Sequence, residues 1–494
     1  MKLLIKRKTF QLNLLLLILL TIVSIIFYYN NQVVGQGYVL LCLFVYIAFN
    51  TIRGGLNKHI TFLAFLVTYF TFLLSRVFIT LFIDTKDLVL DLGGGGDFKI
   101  QTQAFIDFTL YISLLSVFVG YVLIDRSHSF NKKIDSTPFY NRRSICRVRI
   151  FAKYATYIIS LFSLATVIDQ IRYVMQNGYM DFYLNYKSGI PYIVIFIATL
   201  FDYFFIFYMA TMPSKKSSIP VIILYLLVNI ASLGMGQRGG AVLSIMFVIS
   251  YFFLRNTINP GNKPWITKKG ILLIGMSLPI VISLLFLMAY FRTDQSTDKF
   301  DNQNLALNFF YQQGVTVNVI GMAKEYENKI PENKLYSIGK IIEFAEHNKI
   351  SQVLFDTTPV QPQTVEHALN DHTLHATLTY FNSPTLYFSG GGYGGCYIAD
   401  LWVDWGIVGI IIGSSILGVC LAKIRDWCNE SFWKASIGLL MYSCILFAPR
   451  ANFIDFIYVF VPISALLSFG IIYIVKKGIS IGSFAKIRAY RLGR

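Results

Sequence analysis

The chain has 494 residues, of which 55% are hydrophobic and 14% are charged, and its mean hydropathy is +0.57. A water-soluble globular protein of this length is excluded, because it would not carry so many uninterrupted apolar stretches. The formal net charge of +17 would suit a nucleic-acid-binding protein. The basic residues lie between apolar segments, however, where they set membrane topology, so no nucleic acid is expected as a partner.

Long apolar segments follow one another along most of the chain. About 20 apolar residues span a bilayer, and continuous runs indicate helices rather than the alternating strands of a barrel. The first run leads into Tyr28-Tyr29-Asn30-Asn31 without a small-residue cleavage site, so we interpret it as an uncleaved helix. The sequence predicts an all-α polytopic membrane protein of about twelve transmembrane helices, near 11–29, 37–52, 60–83, 105–124, 154–170, 191–212, 220–235, 240–255, 271–290, 402–422, 434–449 and 453–475.

Charge is distributed unevenly between the two sides that these helices define. The connections predicted to face the cytoplasm carry 29 of the 43 Lys and Arg residues and 4 of the 26 Asp and Glu residues. Positively charged connections stay in the cytoplasm during insertion. The sequence therefore predicts that both termini are cytoplasmic. These connections are 1–10, 53–59, 125–153, 213–219, 255–270, 422–434 and 476–494.

One connection, from Phe291 to about Cys396, is far longer than the others. It contains 11 acidic and 7 basic residues and four of the six histidines. A connection of this length in a compact protein is usually functional or disordered. We predict a folded extracytoplasmic cap. The predicted domains are 1–290 with transmembrane helices 1–9, the loop domain 291–396, transmembrane helices 10–12 in 397–475, and a basic cytoplasmic tail at 476–494.

Three arginines, Arg238, Arg292 and Arg450, stand where predicted helices end on the non-cytoplasmic side. The positive-inside rule disfavours fixed positive charge there. An anionic ligand such as the phosphate of a lipid-linked substrate would account for them, because a guanidinium fork matches phosphate oxygens. At each position alone, an interfacial anchor or an ion pair is an alternative, so the hypothesis depends on all three. Arg76, near the outer end of the third helix, is a fourth candidate.

A glycine-rich segment precedes the tenth predicted helix. Five of the six residues 390–395 are glycines, and Asp400 and Asp404 follow with the i, i+4 spacing of one helical face. Acidic residues at a membrane boundary are costly unless paired or functional. Asp400 or His372 is a candidate base for an attacking hydroxyl. The alternatives are an Asp400–arginine pair and a merely solvated histidine.

No cofactor or metal is expected. The six cysteines are scattered, and Cys/His spacing typical of metal sites is absent from the sequence. Only Cys396 is predicted to lie outside, so no extracytoplasmic disulfide framework is expected.

These motifs are similar to those of the O-antigen and capsule repeat-unit polymerases (Wzy-type), which are integral membrane enzymes of bacteria. The chain departs from the family pattern at Asp400, where glutamate is common, and at Gly394-Gly395-Cys396, where serines are common. The resemblance covers roughly residues 150–475. The motifs that carry it are Gly236-Gln237-Arg238-Gly239-Gly240, Phe291-Arg292, Gly394–Asp400, Trp405–Gly409 and Pro449-Arg450.

The resemblance implies a specific reaction. Such enzymes transfer a growing glycan from undecaprenyl diphosphate to a new lipid-linked repeat unit, on the outer face of the cytoplasmic membrane. It implies that Arg238 and Arg292 bind the donor diphosphate, Arg450 binds the donor or acceptor diphosphate, and Asp400 or His372 is the base. Expected partners are membrane lipid, the lipid-linked oligosaccharide, a chain-length regulator and a flippase. Residues expected to bind the glycan or support the site are Gly239, Tyr393, His375 and Arg76.

Three other functions are compatible with parts of this pattern. A flippase or transporter of the same lipid-linked sugar generally has internal repeats and polar or broken helices at the bilayer midplane. Here the ionisable residues cluster at the predicted outer boundary, apart from Asp107 and Asp202. A related ligase would share the donor site, and the sequence does not separate it from a polymerase. A receptor or scaffold would not need three arginines on one side.

Overall fold

The computed structural model describes most of the chain. Within its described ranges the chain is organised in α-helices, and an isolated antiparallel bridge joins Asp91 and Asp97. The fold class predicted from hydropathy, an all-α polytopic membrane protein, is confirmed. The described residues are 2–83, 90–92, 96–127, 139–258, 264–267, 269–272, 305–348, 351–352 and 360–478.

The helices of the N-terminal half follow the predicted apolar segments. A five-residue π-helix, Phe70–Leu74, joins α3 to α4, and a 3₁₀ turn, Ser232–Met235, follows α10. The helices are α1 Lys2–Tyr29, α2 Val33–Arg53, α3 Leu56–Tyr69, α4 Ser75–Ile83, α5 Ile100–Ser127, α6 Arg143–Asn177, α7 Tyr179–Asn185, α8 Tyr192–Ala198, α9 Phe201–Ala210, α10 Lys215–Ala231 and α11 Gly239–Ile258.

The C-terminal half contains a group of short helices followed by one long helix. The 3₁₀ turns Gly314–Thr316 and Ala448–Arg450 lie next to α12 and α19. The helices are α12 Leu305–Gln313, α13 Val317–Glu325, α14 Gly339–His347, α15 Val365–Asn370, α16 Leu374–Asn382, α17 Pro384–Phe388, α18 Tyr397–Glu430, α19 Phe432–Ile445, α20 Asp455–Tyr458 and α21 Ile463–Lys477.

Among the described residues, nine helical segments are long and apolar enough to cross a membrane. Most of the predicted span 271–290 lies outside the described residues. At the predicted span 434–449 the structure has α19, which is only 14 residues long. The nine segments are Gln11–Tyr29, Val33–Arg53, Leu56–Ile83, Ile100–Asp125, Arg143–Asn177, Tyr192–Ala210, Lys215–Met235, Gly239–Ile258 and Tyr397–Glu430.

The predicted continuous helix over 453–475 is wrong, because the segment forms two helices, α20 and α21. Pro462 has extended backbone angles (φ −59°, ψ 149°) and precedes the first residue of α21. A proline lacks the N–H that a helix interior needs, so it separates helices while suiting the start of one.

The chain forms two compact units that alternate along the sequence. The first contains Met1–Ser127, Lys268–Ala422 and Ile445–Asp455. The second contains His128–Thr267, Lys423–Cys444 and Phe456–Arg494.

In the first unit, α5 and α18 approach each other closely at two glycines. A Cβ atom on Gly120 would lie 2.3 Å from the carbonyl oxygen of Ser415, and one on Gly418 would lie 2.0 Å from that of Val117. Small residues allow membrane helices to pack at such short distances. This contact fixes the position of α18, whose N-terminal turns contribute to the candidate site.

Candidate active site

The π-helix Phe70–Leu74 ends two residues before Arg76. A π turn inserts one residue into the helical register and is frequent at functional sites. Here Phe72 belongs to the π turn and Arg76 to the first turn of α4. The insertion therefore changes which face of the α3–α4 span carries Arg76.

Arg76 is 5% exposed and is held by an aromatic side chain and an acid. Its guanidinium carbon lies 4.3 Å from the ring centre of Tyr311, and its Nη2 donates to the Tyr311 hydroxyl at 3.3 Å. Asp91 lies 3.7 Å from the same Nη2. The Nε–H of Arg76 is buried and has no hydrogen-bond partner among the described residues. A buried donor without a partner is costly for the folded protein.

Arg450 reaches the same part of the first unit from the 3₁₀ turn Ala448–Arg450. Its Nη1 lies 3.5 Å from the carbonyl oxygen of Gln313, and its guanidinium carbon lies 5.7 Å from the ring centre of Phe72. Gly314, the next residue, packs on Arg76, because a Cβ there would lie 2.6 Å from the Arg76 Cβ. Arg76 and Arg450 therefore pack against consecutive residues, and the structure brings these two candidates together.

The glycine-rich segment passes beside Arg450. Gly394 has φ +83°, a conformation that favours glycine. A Cβ at Gly394 would lie 3.8 Å from Arg450 Nε, and one at Gly395 would lie 2.7 Å from Asn452 Oδ1. The backbone of this segment therefore packs closely on the Arg450 turn.

Tyr393, predicted to bind or support the glycan, is buried at the start of this approach. Its hydroxyl accepts a hydrogen bond from Asn382 Nδ2 at 2.8 Å. Burial raises the pKa of the Tyr393 hydroxyl, which stays neutral, and nearby Asp91 raises that pKa further.

Asp400 and Asp404 lie on one face of α18 as predicted, and both accept backbone hydrogen bonds. Asp400 Oδ2 accepts from Phe453 N at 3.1 Å. Asp404 accepts from Tyr336 N at 3.0 Å and from Ser337 N at 2.7 Å. Within the described chain neither acid forms an ion pair with an arginine, so the alternative of an Asp400 pair is wrong for Arg76, Arg238 and Arg450 and stays untested for Arg292. The two acids instead attach the Arg450 turn and the 336–337 loop to the same helical turns.

The two histidine candidates lie in the helical region between α12 and the glycine-rich segment. His372 Nδ1 is 3.2 Å from the carbonyl oxygen of Leu335. A carbonyl only accepts, so Nδ1 carries the proton and Nε2 is the basic nitrogen of the neutral ring. His375 Nδ1 is buried without a hydrogen-bond partner among the described residues. Burial lowers the pKa of His375 to about 4, with smaller contributions from His367 and Lys340.

Arg238 and Gly239 belong to the second unit. The chain makes a tight turn before Gly239, because Gly236 has φ +78° after the 3₁₀ turn and α11 begins at Gly239. Gln237 Nε2 donates to the hydroxyl of Tyr183 at 3.2 Å, which connects this turn to the tyrosine-rich segment around α7. Arg292 lies outside the described residues.

Comparison with known families decides the identity. The family model for the O-antigen polysaccharide polymerase Wzy matches residues 12–480, nearly the whole chain. The chain belongs to this family. No curated protein and no solved structure matches it significantly.

For a Wzy-family polymerase, Arg76, Arg450 and the glycine-rich segment 390–395 form the strongest candidate active site of the first unit. Fixed guanidinium groups in a low-dielectric region stabilise developing negative charge without reorganising. Among the described residues, no group of three or more His, Cys, Asp or Glu side chains is placed to hold a metal ion.

Sequence reasoning undervalued Arg76 and missed Tyr311, Asp91 and Phe72. The signal for Arg76 was its position within the long apolar run Leu56–Ile83, where an unpaired charge is expensive. Nothing local in the sequence distinguishes Tyr311 from the other tyrosines, because its role follows from a contact with a residue 235 positions away.

Proposed function

We propose that this Wzy-family protein polymerises lipid-linked oligosaccharide repeat units of an O-antigen, capsule or exopolysaccharide. The growing chain on undecaprenyl diphosphate is transferred to a new lipid-linked repeat unit on the outer face of the cytoplasmic membrane. Arg76 and Arg450 bind the donor diphosphate. The observation that carries this assignment is the packing of both arginines on Gln313 and Gly314.

The chemistry is a substitution at the anomeric carbon of the donor. An acceptor hydroxyl attacks that carbon and forms the new glycosidic bond, while the bond to the diphosphate oxygen breaks and its electron pair leaves with the diphosphate. The proton of the hydroxyl passes to a base. Negative charge grows on the leaving group, and guanidinium groups aimed at it lower the barrier.

Support for the arginine pair comes from the way its partners hold it. Tyr311 stacks on Arg76 and fixes the plane of its guanidinium group. Asp91, at 3.7 Å, offsets one charge but leaves the Nε–H of Arg76 without a partner among the described residues. A cation held in place before substrate arrives does not have to reorganise during the reaction.

His372 is the better supported base of the two candidates. Its Nδ1–H is donated to Leu335 and its ring is half-buried, so Nε2 is the nitrogen that accepts a proton. Asp400 already accepts the backbone N–H of Phe453, close in sequence to Arg450. We therefore assign Asp400 to positioning Arg450. The roles of Arg238 and Arg292 in diphosphate binding remain predictions from the sequence.

The test is the length distribution of surface glycan from cells that lack this gene and are complemented with variants. Arg450→Ala should abolish long chains while single repeat units still reach the surface, since losing one such donor costs roughly 100- to 1000-fold in rate. Arg450→Lys should restore them only partly, because lysine lacks the planar fork. Arg53→Ala, a change at an exposed arginine of the same unit, is the matched control and should behave as wild type.

Other outcomes assign other functions. Loss of all surface glycan in the deletion would indicate a flippase. Retained polymer that is no longer attached to its final acceptor would indicate a ligase. Unchanged glycan would contradict any role in this polysaccharide. Arg238→Ala and Arg292→Ala in the same assay test the two remaining arginine predictions.

The proposed location is the bacterial cytoplasmic membrane, with both termini in the cytoplasm. Reporter fusions at the two ends test this orientation. The proposed protein partners, a chain-length regulator and a flippase, are tested by crosslinking in the same cells.

A further inference from the structure

The first unit contains a cleft that is separate from the Arg76–Arg450 pair and is lined by side chains of a different kind. It has a volume of about 460 Å³ and lies where α1 ends, α5 begins and α13 ends. Its lining includes Tyr28, Lys99, Thr102, Phe105, Lys324 and Glu325. Aromatic rings, two cations and one anion thus surround a space large enough for a small ligand.

The polar groups of the cleft are held in place. Glu325 Oε1 accepts from Thr102 Oγ1 at 2.5 Å, and its Oε2 lies 3.3 Å from Lys99 Nζ. Burial alone would raise the pKa of Glu325, but the hydrogen bonds from Thr102 and Lys99 outweigh it and lower the pKa. The cleft therefore presents a fixed, ionised carboxylate.

The aromatic groups are equally constrained. Phe105 packs edge-to-face against Trp402 with ring centres 4.6 Å apart, and Lys324 Nζ lies 5.7 Å from the Phe105 ring centre. Tyr28 stacks on Phe108 with ring centres 4.4 Å apart and planes 10° apart. Phe105 is only 2% exposed and forms the back of the cleft, so the rings of Tyr28 and Tyr29 are the ones that offer contact surface to a ligand.

This combination selects the chemistry of the ligand. A purely apolar ligand would displace water from these side chains and offer no hydrogen bonds to the polar atoms that the Lys99–Glu325 and Lys324–Glu327 ion pairs leave open, which is expensive. A small anion would meet the carboxylate of Glu325. A ligand rich in hydroxyl groups with apolar ring faces satisfies both kinds of side chain, and an oligosaccharide has this composition.

One helix connects the cleft to the arginine pair. α13 begins at Val317, directly after the Gly314–Thr316 turn that packs on Arg76, and ends at Glu325 in the cleft. Nine residues of α-helix cover about 13 Å. A sugar bound in the cleft would therefore lie about one helix length away from a diphosphate bound at Arg76 and Arg450.

From these observations we infer that this cleft is an oligosaccharide subsite, which binds sugars of the glycan remote from the reacting one. The inference rests on the proposed function for the identity of the glycan. Binding remote sugars holds the substrate in register and contributes to the reaction at the distant centre. Loss of this subsite leaves the arginine pair intact.

The direct test is binding of lipid-free oligosaccharide to the purified full-length protein in nanodiscs. The probe is glycan released by mild acid from the surface of the source cells. Lys324→Ala should weaken binding about tenfold, the effect expected for losing one charged hydrogen-bond donor. Gln101→Trp should also block binding, because Gln101 is an exposed lining residue whose replacement fills the cleft without removing a buried contact. Lys329→Ala is the matched control, since Lys329 is exposed on the same segment and does not line the cleft.

The results separate failure of the subsite from failure of the proposed function. Wild-type protein that binds no glycan, or variants that bind as well as wild type, would overturn the subsite. Binding with no effect of gene deletion on glycan length would overturn the proposed function and leave the subsite standing. In complemented cells, a shorter modal chain would identify the growing chain as occupant, and accumulated single repeat units would identify the acceptor.

Discussion

Asp400 Oδ2 accepts the backbone N–H of Phe453 at 3.1 Å, three residues after Arg450. The hydrogen bond ties the N-terminal turn of α18 to the segment that presents the arginine. Asp404, one turn later, ties the 336–337 loop to the same helix. One face of α18 therefore positions both Arg450 and the 336–337 loop. Asp400, which the sequence suggests as a catalytic base, has a structural role here.

Substitutions at Asp400 separate positioning from proton transfer. Asn keeps an oxygen that accepts the Phe453 N–H but is not a base, whereas Ala removes both. We expect Asp400→Asn to retain most polymerisation and Asp400→Ala to lose it together with about 1–3 kcal/mol of stability, because a buried backbone donor is left unpaired. Glycan length and the thermal unfolding midpoint of the purified variants are the measurements. Equal loss of polymer in a stable Asp400→Asn protein would favour the base.

The contact between Arg76 and Tyr311 predicts that two substitutions reduce polymerisation to different extents. Tyr311→Phe removes the hydrogen bond at 3.3 Å and keeps the stacked ring, so polymerisation should fall only slightly. Arg76→Lys keeps the charge but loses the planar stack and the Nε–H, so the loss should be large. Polymer yield in complemented cells measures both. Wild-type yield from Arg76→Lys would show that a guanidinium group is not required there.

Gly314 is a sensitive position because two backbones meet at it. A Cβ on Gly314 would lie 2.6 Å from the Arg76 Cβ and 2.8 Å from the Arg76 N. Gly314→Ala should therefore cost about 1–3 kcal/mol through overpacking and displace Arg76, seen as a lower unfolding midpoint and less polymer. Gly470→Ala is the control, since nothing lies within 4 Å of its added Cβ, and alanine in a helix should be neutral or stabilising. Equal behaviour of the two variants would contradict the packing argument.

Burial of His375 should make the stability of the folded protein depend on pH. Burial lowers its folded-state pKa to about 4, below the ordinary value near 6.5. The unfolded chain therefore binds a proton first as pH falls, so the stabilising contribution is complete above about pH 6.5 and is lost progressively down to about pH 4. His375→Gln should reduce the loss of unfolding temperature between pH 7 and pH 4.5 relative to wild type. An identical pH profile for the two proteins would show that His375 does not titrate in this way.

The predictability of the site differs from residue to residue. Arg450 and Arg76 could be found from sequence, because a charge inside or beside an apolar segment is costly whatever the tertiary structure. The partners of Asp400 and Asp404 could not, since the spacing predicts a shared face but not which backbone groups meet it. The break at Pro462 could be predicted from the residue itself, because a proline interrupts a helix even within an apolar run.

The amino-acid sequence by itself determined the helical membrane class, the approximate limits of most spans and the arginines that need an explanation. These properties follow from local hydropathy and charge, which act residue by residue along the chain. Only the tertiary structure decided that Arg76 and Arg450 share the Gln313–Gly314 backbone and that Glu325 faces Lys99 and Thr102. Such contacts join residues more than 100 positions apart, and they depend on how whole helices pack, including the one-residue shift of the π turn before Arg76.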